Sequence, residues 1–246
     1  MASPLAQFEI KEILPLSVNN INLSFTNSSL AMVLSSLFII LLMYLGTRKI
    51  QLVPNKMQTL VELSYEFIVE MISDNIGKEG IKYLPFILSI FLFILIGNLF
   101  GMLPFSFTWT SHIIVTFSIA FFIFIFVTVL AILKHGIFKF LSFFAPSGVP
   151  KLMLILLIPI EIISYLSRPV SLSVRLFANM MAGHTLLKVI GGFVFVLGVN
   201  SYLIGGILPL AFLVALTGLE IVIAFLQAYV FAILTCLYIN DAIHLH

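Results

Sequence analysis

The chain has 246 residues, 61% of them hydrophobic and 9% charged, with a net charge of 12 − 10 = +2. Soluble domains run at about 45–50% apolar and about 25% charged, so these values and a mean hydropathy of +1.22 exclude an ordinary water-soluble domain, a nucleic-acid binder and a disordered chain. One cysteine, Cys236, permits no internal disulfide and no thiolate metal cluster; an all-α integral membrane protein without cofactor or metal is expected.

Residues 1–27 are mixed and mildly acidic, with Glu9 and Glu12 against Lys11, and no arginine precedes Arg48. Neither an Arg-rich transit peptide nor a basic start with a short apolar run and a cleavage site is present, so the N-terminus is expected to be retained. Residues 28–46 carry no charge and match the ~20 residues that cover a ~30 Å hydrocarbon core. Arg48, Lys49 and Lys56 follow this first span, which places its end inside and the N-terminus outside.

Residues 55–77 differ. Glu62, Glu66, Glu70 and Asp74 recur every four residues and form one acidic stripe on a helix. Leu60, Leu63, Phe67, Val69 and Met71 line its other faces. An amphipathic helix in the membrane interface is predicted. Interfacial helices are usually basic, so this acidic one is expected to lean on a protein partner.

Residues 83–133 read as a hairpin of two spans, with both basic ends inside. Its first half contains Pro85, Gly97, Asn98 and Gly101; its hinge covers 104–112; its second half ends at Lys134 and His135. Asn98, Gly97 and Gly101 suit close helix packing. His112, His135, His244 and His246 fall at span ends or in the tail, where solvation is expected. Residues 138–151 are read as a short loop with Lys139, Pro146, Gly148 and Pro150.

The region 152–241 holds two stretches of nearly 40 residues, 152–197 and 203–240, joined by a turn at 198–206. Each would be roughly 60 Å long as a helix, about twice the membrane core, so tilt or kinking is required. Five crossings follow, with the C-terminus inside and the whole chain a single membrane domain. No internal repeat is visible, which disfavours a proton-coupled secondary transporter.

The first long stretch carries Glu161, Arg168, Arg175, His184 and Lys188; the second carries Glu220, Gln227 and, at its end, Asp241. An ionised group at mid-bilayer costs at least ~2.5–3.5 kcal/mol, so such a set must meet water, one another or a partner's charge. Arg168 before Pro169 can tie down a kink or reach an interface, and Lys188 can snorkel to a surface or seal the path. Glu161, Arg168 and Arg175 are seven residues apart and share a face over ~21 Å. Asn179 lies one turn further, and His184 is ~180° around from Arg175. Glu220 and Gln227 again share a face, ~10 Å apart along the axis. Glutamate and histidine can exchange protons once their surroundings tune them, whereas arginine stays charged. A permanent cation in the middle of a proton path blocks it. The pattern makes sense if the proton leaves the protein, rides elsewhere and returns beyond the arginine.

These residues carry a resemblance. The segments SLSVRLFANMMAGH (171–184), IEIISYLSRPVS (160–171) and ALTGLEIVIAFLQAYVFAILTCLYINDAI (215–243) are similar to subunit a of the F-type ATP synthase. GNLFGMLPFSF (97–107), SFTNSS (24–29) and PLAQFEI (4–10) resemble the same family, in the same order. The resemblance implies a proton-translocating stator subunit with two offset aqueous half-channels, its last two helices long, tilted and packed as a hairpin against a ring of c subunits. By the same resemblance Arg175 would be the essential arginine facing the ring carboxylates. His184 and Glu220 would line the outer half-channel and Glu161 the inner one. Gln227 would face Arg175, Asn179 would support the polar path, and Asp241 is a weaker candidate at a channel mouth. Many bacterial members carry the acid where this chain has His184 and the histidine where it has Glu220; the exchanged pair matches mitochondrial and alphaproteobacterial members. The implied partners are the c-ring, the peripheral-stalk subunit b, other Fo subunits, membrane lipids and protons. The implied location is the mitochondrial inner membrane or, alternatively, an alphaproteobacterial plasma membrane. No phosphate-binding loop of the form GxxxxGK[ST] occurs, so ATP chemistry is not expected in this chain. A membrane subunit of a respiratory proton pump is the other alternative, but such subunits usually lack a lone central arginine between two offset paths.

Overall fold

The computed structural model describes residues 8–15, 17–18, 21–22, 24–48, 50–103, 106–143, 151–200 and 206–244. Parts of the predicted loop at 138–151, of the turn at 198–206 and of the segment 4–10, together with Lys49 and His246, lie outside these residues.

Two small antiparallel hairpins precede the helices. Strand β1 (Glu12–Leu14) pairs with β4 (Phe25–Thr26), and β2 (Ser17–Val18) pairs with β3 (Ile21–Asn22). Composition did not announce them, because strands of two or three residues leave no periodic signal. Asn27 pins them to the first helix: its side chain accepts from the Lys11 amide at 3.2 Å and donates to the Glu9 carbonyl at 3.1 Å.

The first helix, α1 (Asn27–Thr47), starts where the Thr26 hydroxyl accepts from the Ser29 amide, an N-cap that satisfies one orphan donor. Its buried residues are all small: Ser28, Ser35 and Gly46. A Cβ at Gly46 would stand 2.6 Å from a Val61 methyl, so only glycine lets α2 (Lys56–Asn75) approach here. Between them the Gln58 side chain exchanges two hydrogen bonds of 3.2 Å with the Gln51 backbone.

The acidic stripe of α2 is exposed. Its opposite face does more than rest on a surface: Ile68, Met71 and Ile72 are buried in the same core as α3, α4, α6 and α7. Leu60 and Leu63, by contrast, stay exposed. The region expected to form a hairpin contains two helices, α3 (Leu84–Gly101) and α4 (Ile113–His135), with Gly136 ending α4 at φ +81°, a conformation that glycine adopts without steric cost. The chain leaves α3 after Gly101 and, within the expected hinge region 104–112, forms a 3₁₀ turn at Trp109–Ser111. The expected loop after α4 begins as a short helix, α5 (Ile137–Phe143).

Two long helices complete the chain. The 50-residue α6 (Lys151–Asn200) and the 37-residue α7 (Ile207–Ile243) correspond to about 75 Å and about 55 Å. Pro159 and Pro169 lie inside α6, and each removes a backbone hydrogen bond and loosens the helix. The buried stripe of α7 includes Ala224, Ala228, Ala232 and Ala242, small side chains that let helices pack closely in an apolar setting. Among the described residues five helical segments are long and apolar enough to cross a membrane, matching the expected all-α, five-span membrane architecture with one amphipathic helix.

Candidate functional site

Helix α6 carries two different faces. Tyr165, Leu172, Leu176 and Met180 are buried, at the three- and four-residue spacing of a packed stripe. A second row, Ser164, Ser167, Ser171, Arg175, Ala178 and Ala182, is exposed throughout. It is a line of small side chains interrupted by one long cation. Among the described residues no carboxylate comes within ion-pairing distance of the Arg175 guanidinium.

His184 lies nine residues on, and its different angular position turns it inward: it is 8% exposed, against 4% for Glu220 on α7. Their closest atoms, His184 Nδ1 and Glu220 Oε1, are 3.5 Å apart, within electrostatic contact but long for a hydrogen bond. Gly183 makes room for the carboxyl group, since a Cβ there would be 2.6 Å from Glu220 Oε1. Neither Glu220 oxygen hydrogen-bonds to a described residue. The other imidazole nitrogen, Nε2, meets the Thr108 hydroxyl at 3.2 Å.

Thr108 was not a sequence-predicted residue, and neither was Trp109 beside it. Gly97 and Gly101, expected to mediate helix packing, instead open notches for these two side chains. A Cβ at Gly97 would be 2.2 Å from the Trp109 ring, and one at Gly101 would be 2.5 Å from the Thr108 methyl. Trp109 is 1% exposed, stacks on Phe93 with centroids 4.6 Å apart, and aims its indole N–H at the Ser35 hydroxyl at 3.4 Å. The small-residue spacing at 97 and 101 was a signal for close approach, but not for what approaches. Asn98 is fully buried and donates to the Ala224 carbonyl at 3.3 Å, joining α3 to α7 one turn from Glu220.

Toward the other end of the bundle, Arg168 does not act on the Pro169 kink alone. It crosses to α7 and donates to Asp241 at 3.0 Å, with its guanidinium over the rings of Tyr165 and Tyr238 at 5.3 and 5.0 Å. Asp241, expected at a channel mouth, is thus partnered while staying half-exposed. Glu161 and Asn179 are half-buried on α6 and Gln227 on α7. The predicted set therefore comes together as two pairs, His184 with Glu220 and Arg168 with Asp241. Among the described residues no ion pair joins Arg175 or Glu161 to either. Lys188 is exposed one turn past His184.

Two histidines expected to be solvated are half-buried. His135 Nε2 meets the Ile243 carbonyl at 3.0 Å, serving one of the orphan acceptors at the end of α7. His112 is half-buried, stacks on Phe107 with centroids 5.1 Å apart, and leaves Nε2 without a partner among the described residues. Burial holds its imidazole below the ordinary histidine range.

Known proteins resemble this chain along its length. The family model described as "ATP synthase A chain" matches residues 29–240. A protein named "ATP synthase subunit a" from Pelagibacter ubique is 60% identical over 245 residues, covering 99% of this chain and 98% of that protein. Proteins of the same name from Paramagnetospirillum magneticum and Rhodospirillum rubrum are 54% and 52% identical, each over 100% of both chains.

Proposed function

The chain belongs to the ATP synthase A chain family, and from that premise we propose that it is the proton-translocating stator subunit of the Fo motor, coupling proton flow to the rotation of a c-ring. The observation that carries this reading is Arg175: an exposed cation on a row of small side chains, with no carboxylate partner among the described residues. Facing lipid alone, such a charge would cost at least ~2.5–3.5 kcal/mol. Small neighbours let another helix come close, and a ring of helices bearing carboxylates would supply both the packing and the countercharge.

The steps follow from electrostatics. A proton arriving past Glu220 and His184 neutralises a ring carboxylate, and the neutral site turns into lipid because a protonated acid is far cheaper to bury than an ion. After nearly a full turn it meets the inner path near Glu161 and loses the proton. The returning carboxylate is drawn to Arg175; opposite charges about 4 Å apart attract by roughly 4 kcal/mol at an effective dielectric of 20. That attraction favours proton release yet is small enough for the site to move on. Asn179 supports the path beside Arg175, and Gln227 faces Arg175 from α7. Membrane potential contributes ~2.3 kcal/mol per charge per 100 mV, so several protons must cross for each ATP made.

Beyond the c-ring, the exposed acidic stripe on α2 gives the peripheral-stalk subunit b or another Fo subunit a surface to hold. The relatives named above are bacterial, and a bacterial plasma membrane, rather than the mitochondrial inner membrane, is where we place this chain. The test is Arg175→Ala in the holoenzyme reconstituted into vesicles. ATP-driven proton pumping is expected to vanish while the enzyme stays assembled; full pumping would contradict the reading.

A further inference from the structure

The hairpin turn between α3 and α4 presents one hydroxyl to the proton-bearing pair. Thr108 Oγ1 lies 3.1 Å from the Gly101 carbonyl and 3.2 Å from His184 Nε2. A hydroxyl has a single hydrogen, and a carbonyl oxygen can only accept. With that hydrogen given to the Gly101 carbonyl, the Thr108 oxygen presents a lone pair to the imidazole, and His184 Nε2 donates.

We infer that Thr108 is a positioning residue that locks the hydrogen of His184 on Nε2 and so leaves Nδ1 as the nitrogen that trades a proton with Glu220. The assignment rests on the stator reading above and adds a residue to it. With Nε2–H fixed, one proton is shared between Nδ1 and Glu220 Oε1, as imidazolium with carboxylate or as imidazole with carboxylic acid. Their 3.5 Å separation is bridged by a small closure or by one water. In the other neutral tautomer Nδ1 would already carry the hydrogen and could not accept one from the carboxyl group, which would interrupt the relay. Histidines that carry protons or metals are commonly fixed in this way, by the hydrogen bond of the second nitrogen.

The turn is built to hold that hydroxyl still. Trp109 is keyed into the Gly97 notch against Phe93 and bonded to Ser35, Thr108 fills the Gly101 notch, and the Ser111 hydroxyl donates to the Thr108 carbonyl at 2.6 Å. The titratable and charged groups around His184 are Glu220 from α7 and Lys188 one turn along α6, which acts on it electrostatically. The turn contributes the Thr108 hydroxyl and, further along, His112 stacked on Phe107.

The test compares Thr108→Val, which keeps the shape and loses the hydroxyl, with Thr108→Ser, which keeps the hydroxyl. Each is assayed in the reconstituted holoenzyme for proton pumping against pH, scaled to assembled complex, with His184→Ala in parallel. One lost hydrogen bond corresponds to roughly a tenfold change. Thr108→Val is expected to pump about tenfold slower near neutral pH with a displaced pH profile, and Thr108→Ser to stay within about twofold of wild type with an unchanged profile. A wild-type rate and profile for Thr108→Val, or equal defects in both variants, would overturn the positioning role. Full pumping by His184→Ala would instead remove the channel reading beneath it.

Discussion

Arg168 and Asp241 meet at 3.0 Å across the two longest helices, with the guanidinium held over Tyr165 and Tyr238. The contact lies seven residues before Arg175 on α6 and at the last turn of α7, so it fixes the register of the helix pair where the proposed inner path opens. The Tyr165 hydroxyl extends it to α4 through Thr128 at 2.7 Å.

An exposed ion pair contributes about 0.2–1 kcal/mol, and each ring contact adds about 0.5–1 kcal/mol. Arg168→Ala should therefore destabilise the protein by about 1–3 kcal/mol. Arg168→Lys should recover little of that, because an ammonium cannot stack as a planar guanidinium does. Thermal denaturation of the two variants and of Asp241→Asn decides the point: a full rescue by lysine would show that charge alone matters.

Gly97→Ala should be more damaging than its size suggests. The added methyl would lie 2.2 Å from the indole of Trp109, and forcing extra volume into a packed site costs about 1–3 kcal/mol. Trp109 is the chain's single tryptophan, so its emission reports the notch directly. The wild-type spectrum should be blue-shifted, and Gly97→Ala should move it to the red; an unchanged spectrum in a stable variant would refute the notch.

His112 gives a pH dependence with a definite sign. Burial lowers its folded-state value below the usual 6.5, so between the two values the unfolded chain binds the extra proton. Stability is present above about 6.5 and falls as pH drops below it. His112→Phe keeps an aromatic ring against Phe107 and removes the titration, so its melting temperature should decline less than wild type between pH 7.5 and 5. Parallel declines would rule out His112 as the source.

Gly183→Ala separates folding from conduction. The Cβ would crowd Glu220 Oε1 at 2.6 Å, but that atom ends a flexible side chain that can swing aside at small cost. Assembly should survive, whereas displacement of the carboxyl group from His184 should reduce proton pumping more than tenfold. Normal pumping would mean that the close approach of His184 and Glu220 is not needed.

The five spans were legible because long uncharged runs have few alternatives, and the acidic face of α2 was legible from its four-residue spacing. Seven-residue intervals placed Glu161, Arg168 and Arg175 on one side of α6 and set His184 apart, which is the division between exposed Arg175 and buried His184. Pairings between helices were beyond reach: nothing in the spacing of α7 aims Asp241 at Arg168. Thr108 and Trp109 escaped notice for the same reason, since a turn folding back into glycine notches is a tertiary event with no local periodicity. The inward side of α2, centred on Ile68 and Ile72, was hidden because its apolar residues surround the helix on more than one face.

The exposed row of small residues flanking Arg175 also has a mechanical meaning. On the proposed reading it is a bearing surface, over which successive rotor helices must slide without catching. A leucine in place of Ala178 or Ser171 would then act as a brake, slowing turnover under load while leaving every proton-carrying group in place. Friction and proton chemistry are therefore set by different side chains of the same helix.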